Sequence, residues 1–373
     1  MVKCPANNVL PKLTTTPSPT SAQDCRCTPP CYCNADLGAN IIIPRSFQCD
    51  LEEICCPTDI IEPVECGIKK EVLSDRLGGA TKTVFGEFPW MVVILERANN
   101  KEKVKCGASL VSTKLVLTAA HCVQGRNMSS FIVRAGEYNL DLASEQLPHQ
   151  DREIKNISMH HAFFRQLLLH DLAIIEVIEP FQYSSNVAPI CLPLINSPYS
   201  PENTSIYDLS QCVATGWGSK DSGINDSTHI FRQTFVMFPD FYLWLYKTIV
   251  VVDPNGRNTL GKIEMKIIPS DQCVTMLRKS PLGPQFTLHP SFICAMGKPG
   301  TDTCKGDGGG PLVCPLRSNP NKYVQVGVIA GGLKCTSPFP SLYASLLHNS
   351  SAWIAEEIYF KTVFSQADPK EKE

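Results

Sequence analysis

Three short segments carry residue types that could act together in catalysis. A histidine ends the apolar string TAAHC (His121), an aspartate opens the run HDLAIIEV (Asp171), and a glycine-rich string, GDGGGP, occupies residues 306–311. An imidazole can accept a proton from a nucleophile, and a carboxylate can hold that imidazole in one tautomer. Because an isolated histidine or aspartate is usually structural, the significance lies in their occurrence together.

The elements that would position these segments are short and apolar. From Phe88 onward, strand-length runs rich in Val and Ile recur between turn signals, which predicts an all-β barrel or sandwich. The runs are WMVVIL, ASLVSTKLVLTAA, FIVRAG, DLAIIEV, VATGWG, KIEMKII, PLVC and VQVGVIAGG. Near the C-terminus, AWIAEEIYF has helical spacing instead.

The order of these motifs resembles the chymotrypsin-like serine proteases over residues 77–360, because FPW (88–90) and GWG (216–218) accompany the three segments. The resemblance implies an all-β fold, a chymotrypsin-like double β-barrel. It also implies a catalytic triad whose nucleophile position is Gly308, with no Ser or Cys within three residues. Acyl transfer needs a nucleophile about 3–3.5 Å from the carbonyl. His121, Asp171 and Gly308 are therefore interpreted as a vestigial triad, and the chain is predicted not to be an enzyme.

The specificity pocket implied by the resemblance is altered as well. Asp302 stands where trypsin-like members carry the acid that pairs with Lys or Arg. The usual SWG strip is replaced by residues 330–332, ending in Gly332, and Ser341 stands where a glycine commonly keeps the pocket open. Substrate binding is expected to be impaired independently of Gly308.

Eighteen cysteines among 373 residues predict disulfides in an oxidising compartment. Five N-x-S/T sequons agree with secretion: Asn127, Asn156, Asn203, Asn225 and Asn349. The protease resemblance implies the pairs Cys66–Cys191, Cys106–Cys122, Cys212–Cys314, Cys273–Cys294 and Cys304–Cys335. Seven cysteines at 25–56 resemble the clip domain of arthropod proteases, which implies Cys25–Cys55, Cys27–Cys49 and Cys33–Cys56.

The sequence thus divides into a flexible leader (1–24), a clip domain (25–56), a linker (57–76), a protease-like domain (77–360) and a tail (361–373). Residues 1–20 have no apolar signal-peptide core, and we expect this N-terminus to be truncated. An anomalous insertion at about 227–256 is too interrupted by charges to span a membrane. It is either an adhesive loop or an untranslated stretch.

The resemblance also implies regulation by cleavage after Arg76, with the new amino terminus at Leu77 pairing with Asp307. Lys69, Lys70 and Lys82 are rival cleavage sites in the same region. No cofactor is required. GEYN…EQ resembles the family's calcium loop, which implies that Glu137, Asn139 and Glu145 bind a structural Ca²⁺; the alternative is a solvated acidic loop.

The charges, 34 Lys plus Arg against 36 Asp plus Glu, exclude a strongly basic nucleic-acid-binding or membrane-surface protein. The resemblance to non-catalytic clip-domain protease homologues implies secretion into arthropod haemolymph and control of a protease cascade. The implied role is cofactor or modulator of prophenoloxidase activation, in melanisation and innate immunity, with prophenoloxidase and a clip-domain protease as partners. Two alternatives stay open: an active trypsin-like endopeptidase, and an adhesion protein that binds microbial surfaces.

Overall fold

A computed structural model describes residues 25–28, 54–57, 65–70, 83–98, 101–142, 145–194, 197–218, 259–298, 307–332, 338–347 and 350–363. Two short strands, β1 (Cys25–Thr28) and β2 (Ile54–Pro57), pair antiparallel with Cys27 opposite Cys55. The other described strands form two larger sheets, and strands outnumber helices. The prediction of an all-β, chymotrypsin-like architecture is confirmed.

The first large sheet has seven strands in the order β7-β6-β3-β4-β5-β9-β8. They are β3 (Met91–Ala98), β4 (Lys101–Leu110), β5 (Leu115–Thr118), β6 (Phe131–Ala135), β7 (Gln150–Arg152), β8 (Ile154–Met159) and β9 (Ala173–Val177). β5 and β9 are buried along their whole length, because β-branched and leucine side chains cover both faces of these strands. Their apolar runs are the ones visible in the sequence.

The second sheet is a closed barrel in the order β10-β11-β12-β15-β14-β13. Its strands are β10 (Cys212–Gly216), β11 (Gly261–Ile268), β12 (Phe292–Gly297), β13 (Pro311–Leu316), β14 (Asn319–Gly331) and β15 (Ser341–Ser345). Closure pairs every strand on both sides and leaves no open sheet edge.

The described residues include three α-helices: α1 (Ala120–Val123), α2 (Ser270–Leu277) and α3 (Ser350–Val363). α3 buries Trp353, Ile354 and Ile358 in the core that the first sheet contributes to. The helix continues to Val363, so the boundary predicted at residue 360 cuts through its last turn. Within the described residues, none of the helices is long and apolar enough to cross a membrane.

A short segment before the first sheet, residues 65–70, is bound to the closed barrel. Cys66 is disulfide-bonded to Cys191, and Ile68 forms an antiparallel bridge with Lys322 on β14. Gly67 has φ +72°, and a Cβ there would lie 2.1 Å from the carbonyl oxygen of Tyr323. Only glycine fits this close approach between two backbones.

The lysines that follow are held by a buried carboxylate. Glu87 is 2% exposed and forms ion pairs with Lys69 (3.0 Å) and with Lys262 of β11 (2.7 Å). The backbone N–H of Lys70 donates to the carbonyl of Glu87. The segment from residue 65 to 70 is therefore part of the folded structure.

Candidate functional site

Strand pairing brings His121 and Asp171 together. β5 and β9 are antiparallel, with Thr118 opposite Ala173. His121, just after β5, and Asp171, just before β9, therefore lie at the same end of this strand pair. Nδ1 of His121 lies 2.5 Å from Oδ2 of Asp171, and the backbone N–H of His121 donates to Oδ1 at 2.8 Å. Asp171 is fully buried. This carboxylate fixes the orientation of the imidazole, as a triad requires.

The other imidazole nitrogen points toward Gly308. A Cβ built on Gly308 would lie 3.2 Å from Nε2 of His121. The sulfur of Cys122, which is bonded to Cys106, lies 3.6 Å from the same nitrogen. Nε2 therefore faces a residue without a side chain and a disulfide, and neither carries a hydroxyl that could attack a carbonyl.

The glycine-rich loop is locked against the first sheet. The N–H of Gly107 donates to the carbonyl of Gly308 at 2.9 Å, and the N–H of Gly309 donates to Ile329 of β14 at 2.9 Å. Gly309 has φ +81°, and a Cβ there would approach Oγ1 of Thr118 to 2.4 Å. The loop thus has a fixed backbone although Gly308 has no nucleophilic side chain.

The predicted partner of a new amino terminus, Asp307, is 7% exposed. Its Oδ1 accepts a hydrogen bond from the N–H of Gly218 at 2.8 Å. Arg76 and Leu77 lie outside the described residues, so their relation to this carboxylate stays a prediction.

The candidate specificity pocket is described only in part. Ser341 begins β15 and is 1% exposed, whereas Gly332 is exposed just beyond the end of β14. Cδ1 of Leu168 reaches to 4.0 Å from where a Cβ of Gly331 would lie. Asp302 lies outside the described residues.

Leu168 belongs to a hairpin that sequence reasoning did not identify. Leu168 (φ 54°) and His170 (φ 50°) both have left-handed backbones, which is rare for residues other than glycine. The string LLLH contains no Gly, Asn or Asp that would have indicated such a turn. The hairpin brings Leu168 to the closed barrel, next to Gly331.

A cluster of histidine rings next to Asp171 was also not identified from the sequence. The ring of His160 stacks on His161 (4.6 Å between centroids) and on His170 (4.7 Å), and His170 meets His289 edge-on at 5.4 Å. Burial, followed by the neighbouring His170 and His161, lowers the pKa of His160 to about 4. Burial also lowers the pKa of His170. The strings MHHA and LLH contain three of these residues, but not the fold that joins them.

The candidate calcium residues lie close together. Oε1 of Glu145 accepts from the N–H groups of Tyr138 (3.1 Å) and Asn139 (2.6 Å), and Oε2 is buried without a hydrogen-bond partner. Glu137 is 5% exposed and lies 3.4 Å from Arg134. Burial raises the pKa of both carboxyls. A buried carboxylate oxygen without a donor suits a cation, although Arg134 already neutralises part of this charge.

Four disulfides are described, and they are four of the pairs that the resemblance implies: Cys66–Cys191, Cys106–Cys122, Cys212–Cys314 and Cys273–Cys294. The side chains of the other four predicted pairs, Cys25–Cys55, Cys27–Cys49, Cys33–Cys56 and Cys304–Cys335, lie wholly or partly outside the description. The one cluster of three metal-ligating side chains in the described chain is Cys106, His121 and Cys122, and two of these are joined as a disulfide.

Three of the predicted glycosylation sites are described, and all three are exposed: Asn127, Asn156 and Asn203. Asn127 caps a short 3₁₀ turn, where its Oδ1 accepts from the N–H of Ser129. Asn225 and Asn349 lie outside the described residues, as does the predicted insertion at 227–256.

Comparison with known proteins places this geometry in context. The model of the Trypsin family matches residues 77–234 and 252–354, and it passes over a stretch inside the predicted insertion. Phenoloxidase-activating factor 2 of Galleria mellonella is 34% identical over 304 residues, covering 79% of this chain and 87% of that protein. Inactive CLIP domain-containing serine protease A28 of Anopheles gambiae is 28% identical over 339 residues, covering 88% and 78%.

Among solved structures, the Drosophila Grass clip serine protease of the Toll pathway superposes with a TM-score of 0.59 at 22% identity. The match covers 83% of this chain and 82% of that one, and it supports the fold alone.

Proposed function

The chain belongs to the trypsin family, and we propose that it is a secreted, non-catalytic clip-domain member that regulates a protease cascade by binding other proteins. The observation that carries this proposal is the position of Gly308 opposite Nε2 of His121. Enzymes of this kind that lose a triad member catalyse the reaction only roughly 10³- to 10⁴-fold faster than it proceeds in water. This remaining activity is too low for a working protease, whereas a binding role needs no nucleophile.

The names of similar proteins support a role in phenoloxidase activation. One relative is named for activating phenoloxidase, and others are named as inactive members of the clip group. We propose that this chain acts as a cofactor or modulator of prophenoloxidase activation, with prophenoloxidase and its activating protease as partners. Melanisation in haemolymph would be the process that it serves.

Reconstitution tests this function. Cut and uncut forms of the protein would be added to prophenoloxidase and its activating protease, and phenoloxidase activity would be measured. We expect the cut form to change the activity several-fold, and we expect His121→Ala to have the same effect as the unmodified chain, because binding does not need the imidazole. Equal phenoloxidase activity with and without the protein would overturn the proposal.

A second candidate, an active endopeptidase, is favoured by one observation, the intact pair of His121 and Asp171. In that case His121→Ala would abolish the effect in the same assay. The two candidates are therefore separated by one variant.

A further inference from the structure

Three cationic side chains lie around α1, beside the candidate site. Lys105 directly precedes Cys106, whose disulfide partner Cys122 follows His121 in the chain. Arg165 donates from Nη1 to Oε1 of Gln124, the residue that caps α1, at 3.0 Å. Arg126 lies two residues further along the chain. The three cations thus lie next to residues that belong to α1, cap it or are bonded to it, and α1 carries His121.

The charges that act on Lys105 are mostly positive. Arg126 and Arg165 both act on Lys105 through their charges, and the one acid that acts on it in the same way is Glu96. Glu96 is itself occupied, because it accepts from Nη1 of Arg126 at 2.7 Å. Among the charges that act on Lys105, the two guanidinium groups outnumber the one carboxylate, in a chain whose net charge is −2. An anionic ligand would relieve the repulsion among them.

Apolar side chains interrupt this basic surface. Phe164 is 42% exposed and Leu167 is 39% exposed, and they lie on either side of Arg165 in the chain. They belong to the hairpin whose Leu168 reaches the closed barrel. The rest of the hairpin is held by the pairing of Phe164 with Leu169. Large apolar side chains that stay exposed on a fixed turn favour contact with another molecule.

We propose that this surface, formed by Lys105, Arg126, Phe164, Arg165 and Leu167, binds an acidic peptide segment of a partner protein. Carboxylates of the segment would face the three cations, and an apolar side chain would lie against Phe164 and Leu167. A purely charged polymer would leave these two apolar residues unused, which favours a peptide. The inference rests on the proposed function, because a segment bound beside His121 is held as a partner only if it is not cut there.

Direct binding of a defined peptide tests the surface. The probe is a fluorescein-labelled twelve-residue peptide of alternating Glu and Leu, titrated with the full, oxidised chain and followed by fluorescence anisotropy. We expect Lys105→Gln with Arg165→Gln to weaken binding about tenfold, because two cations of the contact are lost. The matched control, Lys114→Gln with Lys279→Gln, removes the same charge from exposed positions elsewhere and should leave the Kd unchanged.

A second pair of measurements tests the apolar part. Phe164→Ser with Leu167→Ser should weaken the Glu–Leu peptide and leave the weaker binding of a Glu–Ser peptide unchanged. Equal Kd values for the charge variant and its control would overturn the proposal, as would tighter binding of a heparin fragment than of the peptide. The readout is independent of phenoloxidase, so failure of this surface and failure of the proposed function can be distinguished.

Discussion

Nε2 of His121 lies so near the backbone of Gly308 that even a Cβ there would be 3.2 Å away. Contacts this short between a Cβ and another atom are unusual, so a side chain at this position requires the imidazole to move by a few tenths of an ångström. The imidazole is meanwhile held on its other side by the buried Asp171. The position of His121 is therefore coupled to the absence of a side chain at residue 308.

We predict that the cut protein does not hydrolyse arginyl esters or amides, and that Gly308→Ser restores little activity. The imidazole would have to give way by a few tenths of an ångström, and Ser341 and Gly331 would still alter the pocket. Turnover of a chromogenic arginyl substrate, measured for both forms, checks this. Acceleration of about 10⁵ or more over the uncatalysed rate in the unmodified chain would contradict the proposed loss of catalysis.

Full trypsin-like activity in Gly308→Ser would show instead that the pocket is competent. A matched control is Gly308→Ala, which introduces the same Cβ without a hydroxyl. It separates the steric effect on His121 from any gain of a nucleophile.

We predict that the protein loses stability as the pH falls from about 7 to about 5. Folded His160 has a pKa of about 4, whereas the unfolded imidazole takes up its proton near 6.5. Unfolding therefore binds a proton between these values, and the stabilisation is full above about 6.5 and declines toward 4. The two rings stacked on it, His170 and His161, would repel the added charge.

The expected loss is about 1–2 kcal/mol in the free energy of unfolding between pH 7 and pH 5. Urea unfolding at several pH values measures it. His160→Asn should flatten the pH dependence, because an amide oxygen can still accept from the N–H of Ala162 but does not titrate there. His161→Asn, at an exposed position, is the control and should keep most of the slope; an unaltered slope in His160→Asn would refute the assignment.

We predict that calcium raises the thermal midpoint through Glu137 and Glu145. The buried Oε2 of Glu145, which has no hydrogen-bond partner, would become a ligand of the ion. Oxygen ligands suit this cation. At 100 times its Kd, calcium would contribute about 2.7 kcal/mol to the free energy of unfolding. Glu145→Gln should abolish the shift in Tm, and Glu202→Gln, at an exposed position elsewhere, should keep it. Equal Tm values in excess calcium and in chelator would favour a solvated acidic loop.

We predict that an upstream protease cuts after Arg76 and not at Lys69 or Lys70. Lys69 is ion-paired to the buried Glu87, and the backbone of Lys70 is hydrogen-bonded to it, so neither is free to enter a protease cleft. The cut protein should migrate as one band without reductant and as two bands with it. N-terminal sequencing of the larger reduced fragment should begin at Leu77. A start at Lys70, Glu71 or Thr83, after the rival sites Lys69, Lys70 and Lys82, would remove the proposed insertion of Leu77 toward Asp307.

The strands that sequence analysis identified were those with uninterrupted apolar runs, such as Ala173–Val177. β8, with its exposed Asn156 and polar character, and the three-residue β7 gave no such signal. Short edge strands are set by pairing with a neighbour rather than by their own composition, so periodicity does not reveal them.

The candidate site divides in the same way. His121, Asp171 and Gly308 could be found because motif order reflects a common architecture. The histidine cluster and the cations around Lys105 could not, because their members are far apart in the chain and no local pattern indicates that they meet. The hairpin before Asp171 carries Arg165 and precedes His170, and the Cys106–Cys122 disulfide joins the strand of Lys105 to α1.

The bond between Cys66 and Cys191 has a consequence for how a partner would meet the cut protein. A cut after Arg76 would leave two polypeptides in fixed one-to-one proportion at any dilution. A molecule that contacts both pieces would therefore bind two linked sites, and the second contact would form at a high effective concentration set by the tether. Weak individual contacts could then add up to a long-lived complex, and reductant would dissolve that avidity without altering either contact surface.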